Sequence, residues 1–390
     1  MRIVLATDTY PPEINGVATS TYNLAKTLKG HGHEVLVIAT NPSGKETIVE
    51  DGVIRIPGIE LKSLYGYRAS PFYNRKAMKA LYAFKPDVIH CQTDAGIGIF
   101  GMLAAARMKI GTIYTFHTMI EDYAYYVTKG HFDRFARHSV RWFFRRKAQL
   151  VTEFIAPSDK IKDYLRSIGI DRSVTVIPTG IEFERFSRLN ENLATTQQIK
   201  KKLGIKPNDY VLLSLGRIAK EKSIDVILRG YAKYLKGRPS VSTKFVIVGW
   251  GPAEEELKTL AAQLGIQQNV IFAGKCAPAE TQKYYHIGNC FASASLTETQ
   301  GLTFMEAMAA ELPVLARYDD NLVGTIQDGT TGFFFKDDTF AEKFDYVIKM
   351  DEERKKAVQL AAMKAIEPYS MERFYQNIIE VYKRVSKKHW

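Results

Sequence analysis

Glu298 and Glu306 are separated by seven residues, Thr299-Gln300-Gly301-Leu302-Thr303-Phe304-Met305, so two carboxylates straddle a glycine and the start of an apolar helix. A nucleotide-sugar site can be built on that frame. Gly301 allows a tight turn, and a helix beginning at about Leu302 exposes unpaired N–H groups and a partial positive charge that stabilise a diphosphate. Glu298 lies before the turn, where it can reach a sugar on one side of that diphosphate. Glu306 lies one turn inside the helix, where it can accept hydrogen bonds from a ribose on the other. A surface loop followed by a solvated helix would share this spacing, so its companions decide its meaning.

The upstream companion is Gly216-Arg217-Ile218-Ala219-Lys220-Glu221-Lys222, directly after the apolar run Tyr210-Val211-Leu212-Leu213. That run reads as a buried strand, which brings Arg217 out at the carboxyl edge of a sheet, where open α/β folds bind ligands. Lys222 follows in the same loop. A departing nucleoside diphosphate needs its charge neutralised, and an Arg with a Lys supplies this without a metal.

Together these residues resemble the retaining glycosyltransferases of family 4, of the two-domain GT-B type. The resemblance runs along nearly the whole chain. It includes Asn15-Gly16-Val17, the Gly216-to-Lys222 run, Gly249-Trp250-Gly251-Pro252, and the Glu298/Glu306 pair with Ala307-Met308-Ala309 and Pro313-Val314 behind it. The resemblance implies that Arg217, Lys222 and Glu298 act on the diphosphate and donor sugar. Gly16, Gly249, Gly301, Leu302, Thr303 and Glu306 would line the rest of the donor site. It also implies transfer with retention of configuration, a UDP-sugar as co-substrate, and no protein-bound catalytic metal or other cofactor.

A narrower resemblance starts at Phe116-His117-Thr118-Met119-Ile120-Glu121-Asp122-Tyr123. It is similar to the matching segment of bacterial diacylglycerol glucosyltransferases, in which the equivalent of His117 lies at the interdomain cleft near the anomeric centre. The implied donor is UDP-glucose, the implied acceptor diacylglycerol, and the implied location the inner face of the cell membrane. Glu121, Asp122 and Tyr126 are the candidates for orienting the acceptor hydroxyl. Phosphatidylinositol, a glycosylated diacylglycerol or a soluble glycan remain alternative acceptors.

These residues need a scaffold, and the pattern of apolar runs provides one. Ile3 to Ala6, Val35 to Ala39, Val53 to Ile56, Asp87 to His90, Thr112 to Phe116, Phe154 to Ala156 and Val174 to Ile177 alternate with helical stretches, the pattern of a parallel sheet. A second series follows from Tyr210 to Phe335. The expected fold is therefore α/β, with two Rossmann-like parallel-sheet domains facing a cleft. The domains are expected at 1–190 with a returning helix at 371–390, and at 206–370, joined by a polar linker at 191–205. A length of 390 residues suits two such domains, and 46% hydrophobic with 25% charged residues excludes a disordered chain.

Net charge is +12, which favours an anionic partner. Between Lys129 and Lys147 there are seven Lys or Arg and one acid, with aromatic residues interleaved. Arg134, Arg137, Arg141 and Arg145 recur at three- and four-residue spacing on one helical face, with Trp142 among the aromatics beside it, as in a helix resting on an anionic bilayer. Ala95 to Ala106 is too short to span a membrane, and the amino terminus reads as a first strand broken at Asp8. Membrane contact is therefore expected to be peripheral. The three cysteines, Cys91, Cys276 and Cys290, are far apart and suit a reducing compartment.

Three other readings fail on their particulars. The basic segment could attract nucleic acid, but no nucleic-acid-binding motif accompanies it. Gly96, Gly98 and Gly101 match a dinucleotide fingerprint, with Glu121 twenty residues further on. Cys91 to Ala95, however, separates the first glycine from its strand, so these glycines read as close helix packing. Asp319-Asp320 and Asp337-Asp338 lack the further ligands of a metal site.

Overall fold

The computed structural model describes all residues except 14, 43, 45, 62–66, 118–141, 143, 171, 297, 299, 321 and 388–390. The chain divides into two compact units, Met1–Gly180 with Met371–Trp390, and Ile181–Ser370. The returning C-terminal segment is as expected. The passage between units is earlier than expected: it falls at Gly180 and Ile181, and the presumed linker at 191–205 is largely the helix Leu193–Lys202, packed against helix Thr281–Ile287 in the second unit. Its polar composition reflects a surface position, since only Thr196 in it is buried.

The first unit carries strands β1 (Arg2–Thr7), β2 (Glu34–Asn41), β3 (Ile48–Glu50), β4 (Val53–Pro57), β5 (Ile59–Leu61), β6 (Tyr67–Ala69), β7 (Val88–Cys91), β8 (Gly111–Thr115), β9 (Glu153–Ala156) and β10 (Val174–Val176). Eight of them form one sheet in the order β10-β9-β8-β7-β1-β2-β4-β3, parallel except for the β3–β4 pair, and β5 and β6 form a separate antiparallel ribbon. Successive side chains point to opposite faces of a strand, which divides the core in two. Val4, Ala6, Ile89, Cys91 and Tyr114 pack on one face. Ile3, Leu5, Val88 and Ile113 pack on the other, under Phe374, Ile378, Tyr382 and Val385 of the C-terminal helix Met371–Ser386.

That helix is held by more than apolar contact. The Arg384 guanidinium bonds both carboxylate oxygens of fully buried Glu153, whose Oε1 also accepts from Thr175 Oγ1 at 2.6 Å. A buried carboxylate is tolerable only when paired and bonded in this way. Gly96, Gly98 and Gly101 lie in the helix Gly96–Met108 and do serve close packing. A methyl at Gly98 would sit 1.9 Å from the Thr93 carbonyl oxygen, and one at Gly101 2.8 Å from Ala6 Cβ.

The second unit carries β11 (Tyr210–Leu215), β12 (Thr243–Val248), β13 (Val270–Gly274), β14 (Cys290–Ser293), β15 (Val314–Arg317) and β16 (Phe333–Phe335) in one parallel sheet, ordered β13-β12-β11-β14-β15-β16. Leu212, Phe245, Ile247 and Leu315 build the core on one face, and Val211, Leu213, Val246, Phe291 and Val314 on the other. Full burial of each such side chain contributes about 1.5–3 kcal/mol. In both sheets the strand order reverses beside the first strand of the unit, between β1 and β7 and between β11 and β14. Loops diverge at such a reversal and leave room for a ligand at the carboxyl ends of the strands.

Candidate active site

In the second unit the reversal lies between the two sequence motifs. The Gly216–Lys222 loop leaves β11, and the loop through Glu298 leaves β14, whose Cys290 and Phe291 pair with Leu212 and Leu213. Lys222 ends a short 3₁₀ turn, Lys220–Lys222. Its Nζ donates to Glu298 Oε1 at 2.7 Å, with the two side chains 29% and 16% exposed. Residues 76 positions apart thus form a charge pair at one sheet edge. Arg217 is about half exposed and its Nη2 pairs with Glu221 of the same loop.

Gly301 caps the helix Leu302–Ala309 with φ at +76°, and a methyl there would stand 2.8 Å from Leu322 Cδ2. Only glycine accepts that backbone without strain. No side chain caps this helix and its first turn holds no acid, so the N–H groups at Leu302 and Thr303 suit an anionic ligand. Glu306 is partly buried one turn further, where its Oε2 accepts from Tyr285 Oη at 2.8 Å. Burial pushes its carboxyl up to about 7, against the opposing effects of the Tyr285 hydrogen bond and the Arg185 guanidinium.

Gly249, expected in the donor site, is also a point of close backbone approach. With φ at +142°, it lies so close to the β11 loop that a methyl would be 1.8 Å from the Gly216 carbonyl oxygen; a methyl at Gly251 would be 2.2 Å from that of Ile218. Ile218 N donates to the Trp250 carbonyl at 3.1 Å. The glycines of this segment therefore press the loops after β11 and β12 together and fix the backbone from which Arg217 projects.

In the first unit Gly16 begins the helix Gly16–Gly30, capped by Asn15, whose side chain accepts from Ala18 N and donates to Thr9 Oγ1 at 2.6 Å. Among the described residues, a methyl at Gly16 would meet no atom within 4 Å. Asp8, just past the end of β1, is a buried acid that accepts from Ile97 N at 2.8 Å and from Thr93 Oγ1 at 2.5 Å. Burial raises its pKa. His117 follows β8, donates through Nε2 to Gln92 Oε1 at 2.7 Å, and is pulled down to about 4 by burial.

Glu121, Asp122, Tyr126, Arg134, Arg137 and Arg141 lie outside the described residues. Trp142 is exposed, with the Arg146 guanidinium 5.6 Å from its ring centroid. Arg145 is exposed, and its Nε donates to the Ile168 carbonyl at 2.7 Å. Lys147 is buried, paired with Asp94 at 3.1 Å and seated 4.1 Å from the Phe144 ring centroid. The carboxyl end of the basic run is thus bound into the first unit. Among the described residues no helix is long and apolar enough to cross a membrane, and no group of three or more His, Cys, Asp or Glu could hold a metal ion.

Several site neighbours carried no sequence signal. Tyr285 and Arg185 have no spacing relation to Glu306, and Glu221 read simply as an acid inside a basic loop. Asp8 was legible only as a break in the first strand.

The chain matches the model described as Glycosyltransferase Family 4 over residues 14–185 and that of the glycosyl transferases group 1 over residues 195–363. It is 37% identical over 335 residues to an alpha-monoglucosyldiacylglycerol synthase of Streptococcus pneumoniae, covering 86% of this chain and 75% of that one. The chain belongs to the family 4 glycosyltransferases. A second relative of this transferase, the alpha-monoglucosyldiacylglycerol synthase of Acholeplasma laidlawii, is 34% identical over 388 residues, 98% of this chain and 96% of that one. Among solved structures, Anabaena Alr3699/HepE in complex with UDP-glucose matches with a TM-score of 0.74 at 16% identity, covering 98% of this chain and all of that one. The sucrose-phosphate synthase of Thermosynechococcus elongatus matches with a TM-score of 0.75 at 15% identity over 98% of each chain. These likenesses establish the GT-B fold of the transferase.

Proposed function

We propose that this transferase moves glucose from UDP-glucose to the free hydroxyl of 1,2-diacylglycerol, giving an α-monoglucosyl diacylglycerol. The observation that carries the reading is the likeness, along nearly the full chain, to two proteins named as alpha-monoglucosyldiacylglycerol synthases. The arrangement of the second unit supports it. Lys222 and Arg217 neutralise the diphosphate as its bond to the sugar breaks, and the N–H groups at Leu302 and Thr303 bind the phosphate oxygens. Glu298 orients Lys222 and holds the donor sugar. The acceptor hydroxyl attacks on the face the diphosphate leaves, and the departing phosphate oxygen takes the proton, so configuration is retained with no covalent enzyme intermediate. His117 and Gly16 are the contributions of the first unit, at the sugar and the donor phosphates respectively. The scheme asks for no protein-bound metal.

The deciding experiment supplies radiolabelled UDP-glucose and diacylglycerol in mixed anionic liposomes, beside UDP-galactose and a panel of soluble acceptors. Label in an organic-soluble monoglucosyl lipid supports the reading. UDP release with label only in an aqueous product rejects the lipid acceptor.

Glu306 gives a pH-dependent prediction. A carboxyl with a higher pKa in the folded chain stabilises the fold while protonated and loses that contribution as pH rises from the unfolded value towards 7. Glu306→Gln should therefore match the wild type in thermal stability at about pH 4 and exceed it at about pH 8. If the ionised carboxylate accepts the ribose hydroxyls, UDP affinity falls as pH drops below about 7, and this dependence disappears in Glu306→Gln. Calorimetric titration with UDP across that range checks both statements.

Gly16→Ala separates folding from function, because the added methyl has open space and alanine favours a helix. Its melting temperature should hold or rise slightly, while kcat/KM for the donor falls at least about tenfold. Unaltered kinetics would remove Gly16 from the donor site.

Membrane attachment through the basic segment is proposed on charge pattern. Binding to anionic vesicles should weaken with added salt and fall sharply in the Arg137→Glu, Arg141→Glu double variant. Equal vesicle binding by variant and wild type would remove the segment from the membrane contact.

A further inference from the structure

His117 ends a string of polar contacts buried in the first unit. Tyr382, on the C-terminal helix, lies 2.7 Å from His90 Nδ1. His90 Nε2 faces Gln92 Nε2 at 3.0 Å and Thr115 Oγ1 at 2.6 Å, and Gln92 Oε1 meets His117 Nε2 at 2.7 Å. His90 lies on β7, Gln92 just past its end, and His117 just past the neighbouring β8. Tyr382 and His90 are wholly excluded from solvent and Gln92 is 2% exposed.

Each link limits the next. A carboxamide has one accepting and one donating end, so turning it over exchanges the roles of both its neighbours. With the oxygen towards His117, that imidazole must donate through Nε2, and the neutral ring keeps its lone pair on Nδ1. The amide nitrogen then needs an acceptor, which His90 Nε2 provides, so His90 carries its proton on Nδ1 and donates to Tyr382 Oη. The reversed string would put two nitrogens 2.7 Å apart at His117, tighter than an N–H···N bond prefers. The observed pair of spacings, 2.7 Å for N···O and 3.0 Å for N···N, suits the first arrangement. Burial pulls His90 down to about 3 and His117 to about 4, so both rings are neutral near pH 7 and the tautomer is what the string controls.

We propose that Tyr382, His90 and Gln92 are positioning residues that hold His117 as its Nε2–H tautomer, presenting Nδ1 as a hydrogen-bond acceptor for a substrate hydroxyl. Among the described residues Nδ1 has no partner. The inference rests on the reading of His117 as a substrate-contacting residue. It adds three side chains that touch no substrate, one of them on the last helix of the chain.

The test reads the tautomer directly. Long-range proton–nitrogen correlation spectra of the full chain labelled with ¹⁵N-histidine, with His117 assigned by comparison with His117→Asn, should show protonation at Nε2. Gln92→Met should mix the two tautomers and lower kcat by on the order of tenfold to a hundredfold, with the donor KM changed far less. Gln92→Glu, which keeps an accepting oxygen, should retain the Nε2–H form. Tyr382→Phe should loosen the tautomer preference from the far end of the string. A wild-type spectrum with the His117 proton on Nδ1 overturns the proposal even if neither Gln92→Met nor Tyr382→Phe folds. So does Gln92→Met with unchanged tautomer and kcat. Full activity in His117→Ala would instead overturn the substrate contact, whatever the spectrum shows.

Discussion

Lys222→Ala is expected to lower kcat by about a hundredfold to a thousandfold while raising the donor KM much less. In the proposed reaction the diphosphate carries two negative charges while esterified to the sugar and gains a third as that bond breaks, and this added charge is what Lys222 would meet in the transition state. An ammonium held in place by Glu298 at 2.7 Å needs little reorganisation when the charge appears, which is why its loss should register in turnover. Arg217→Ala should act in the same direction. Unchanged turnover in either variant would sink that residue's assignment. Glu298 can be tested against Lys222 in a double-mutant cycle. If its whole contribution is to orient the ammonium, Glu298→Gln added to Lys222→Ala costs nothing further; an additional loss in kcat is the share it contributes at the sugar itself.

Gly249→Ala should be the most destabilising single-methyl change in the second unit. The new Cβ would stand 1.8 Å from the Gly216 carbonyl oxygen, on a backbone whose φ of +142° is already unsuited to an L side chain. Neither obstacle is a flexible side chain. Gly216 N bonds the Val248 carbonyl at 3.0 Å and Gly249 N the Gly274 carbonyl at 2.9 Å, so relief must break the hydrogen bonds that join these loops. A loss of about 3–5 kcal/mol follows, which for a unit of this size lowers the melting temperature by on the order of 10 °C. Gly265→Ala is the matched control: its φ is +71°, but a methyl there meets nothing within 4 Å, so only backbone strain of about 1–2 kcal/mol remains. Scanning calorimetry of the two variants separates overlap from strain, and equal losses would show that the Gly216 contact is not the cause.

The features legible in the sequence are those written in neighbouring residues. Both sheets, the helix beginning at Leu302 and the loop carrying Arg217 and Lys222 follow from apolar runs bounded by glycine and charge, because burial and turn geometry act over a few residues. The unit boundary was displaced because composition reports exposure to solvent. The polar helix Leu193–Lys202 lies on the surface of a unit and looks like a linker for that reason. The packing role of Gly249 was hidden for a related cause, since a glycine needed for a close backbone approach cannot be told in sequence from one that makes room for a phosphate. The partners of the candidate site residues were out of reach altogether. Tyr285 finds Glu306 across 21 residues and Tyr382 finds His90 across 292, and no local pattern encodes either meeting.

The helix Met371–Ser386 also governs the order in which the two units can be completed during synthesis. Met371–Ser386 covers the sheet face formed by Ile3, Leu5, Val88 and Ile113, and supplies Arg384 to buried Glu153. The unit to which the first 180 residues belong therefore stays unfinished on the ribosome until Met371–Ser386 has been made and has left the exit tunnel. The intervening unit has all its strands by then and can fold ahead of it. A nascent transferase can thus complete its second unit first, and a chain truncated before Met371 keeps that unit while leaving the other with an uncovered apolar face and an unpaired buried carboxylate.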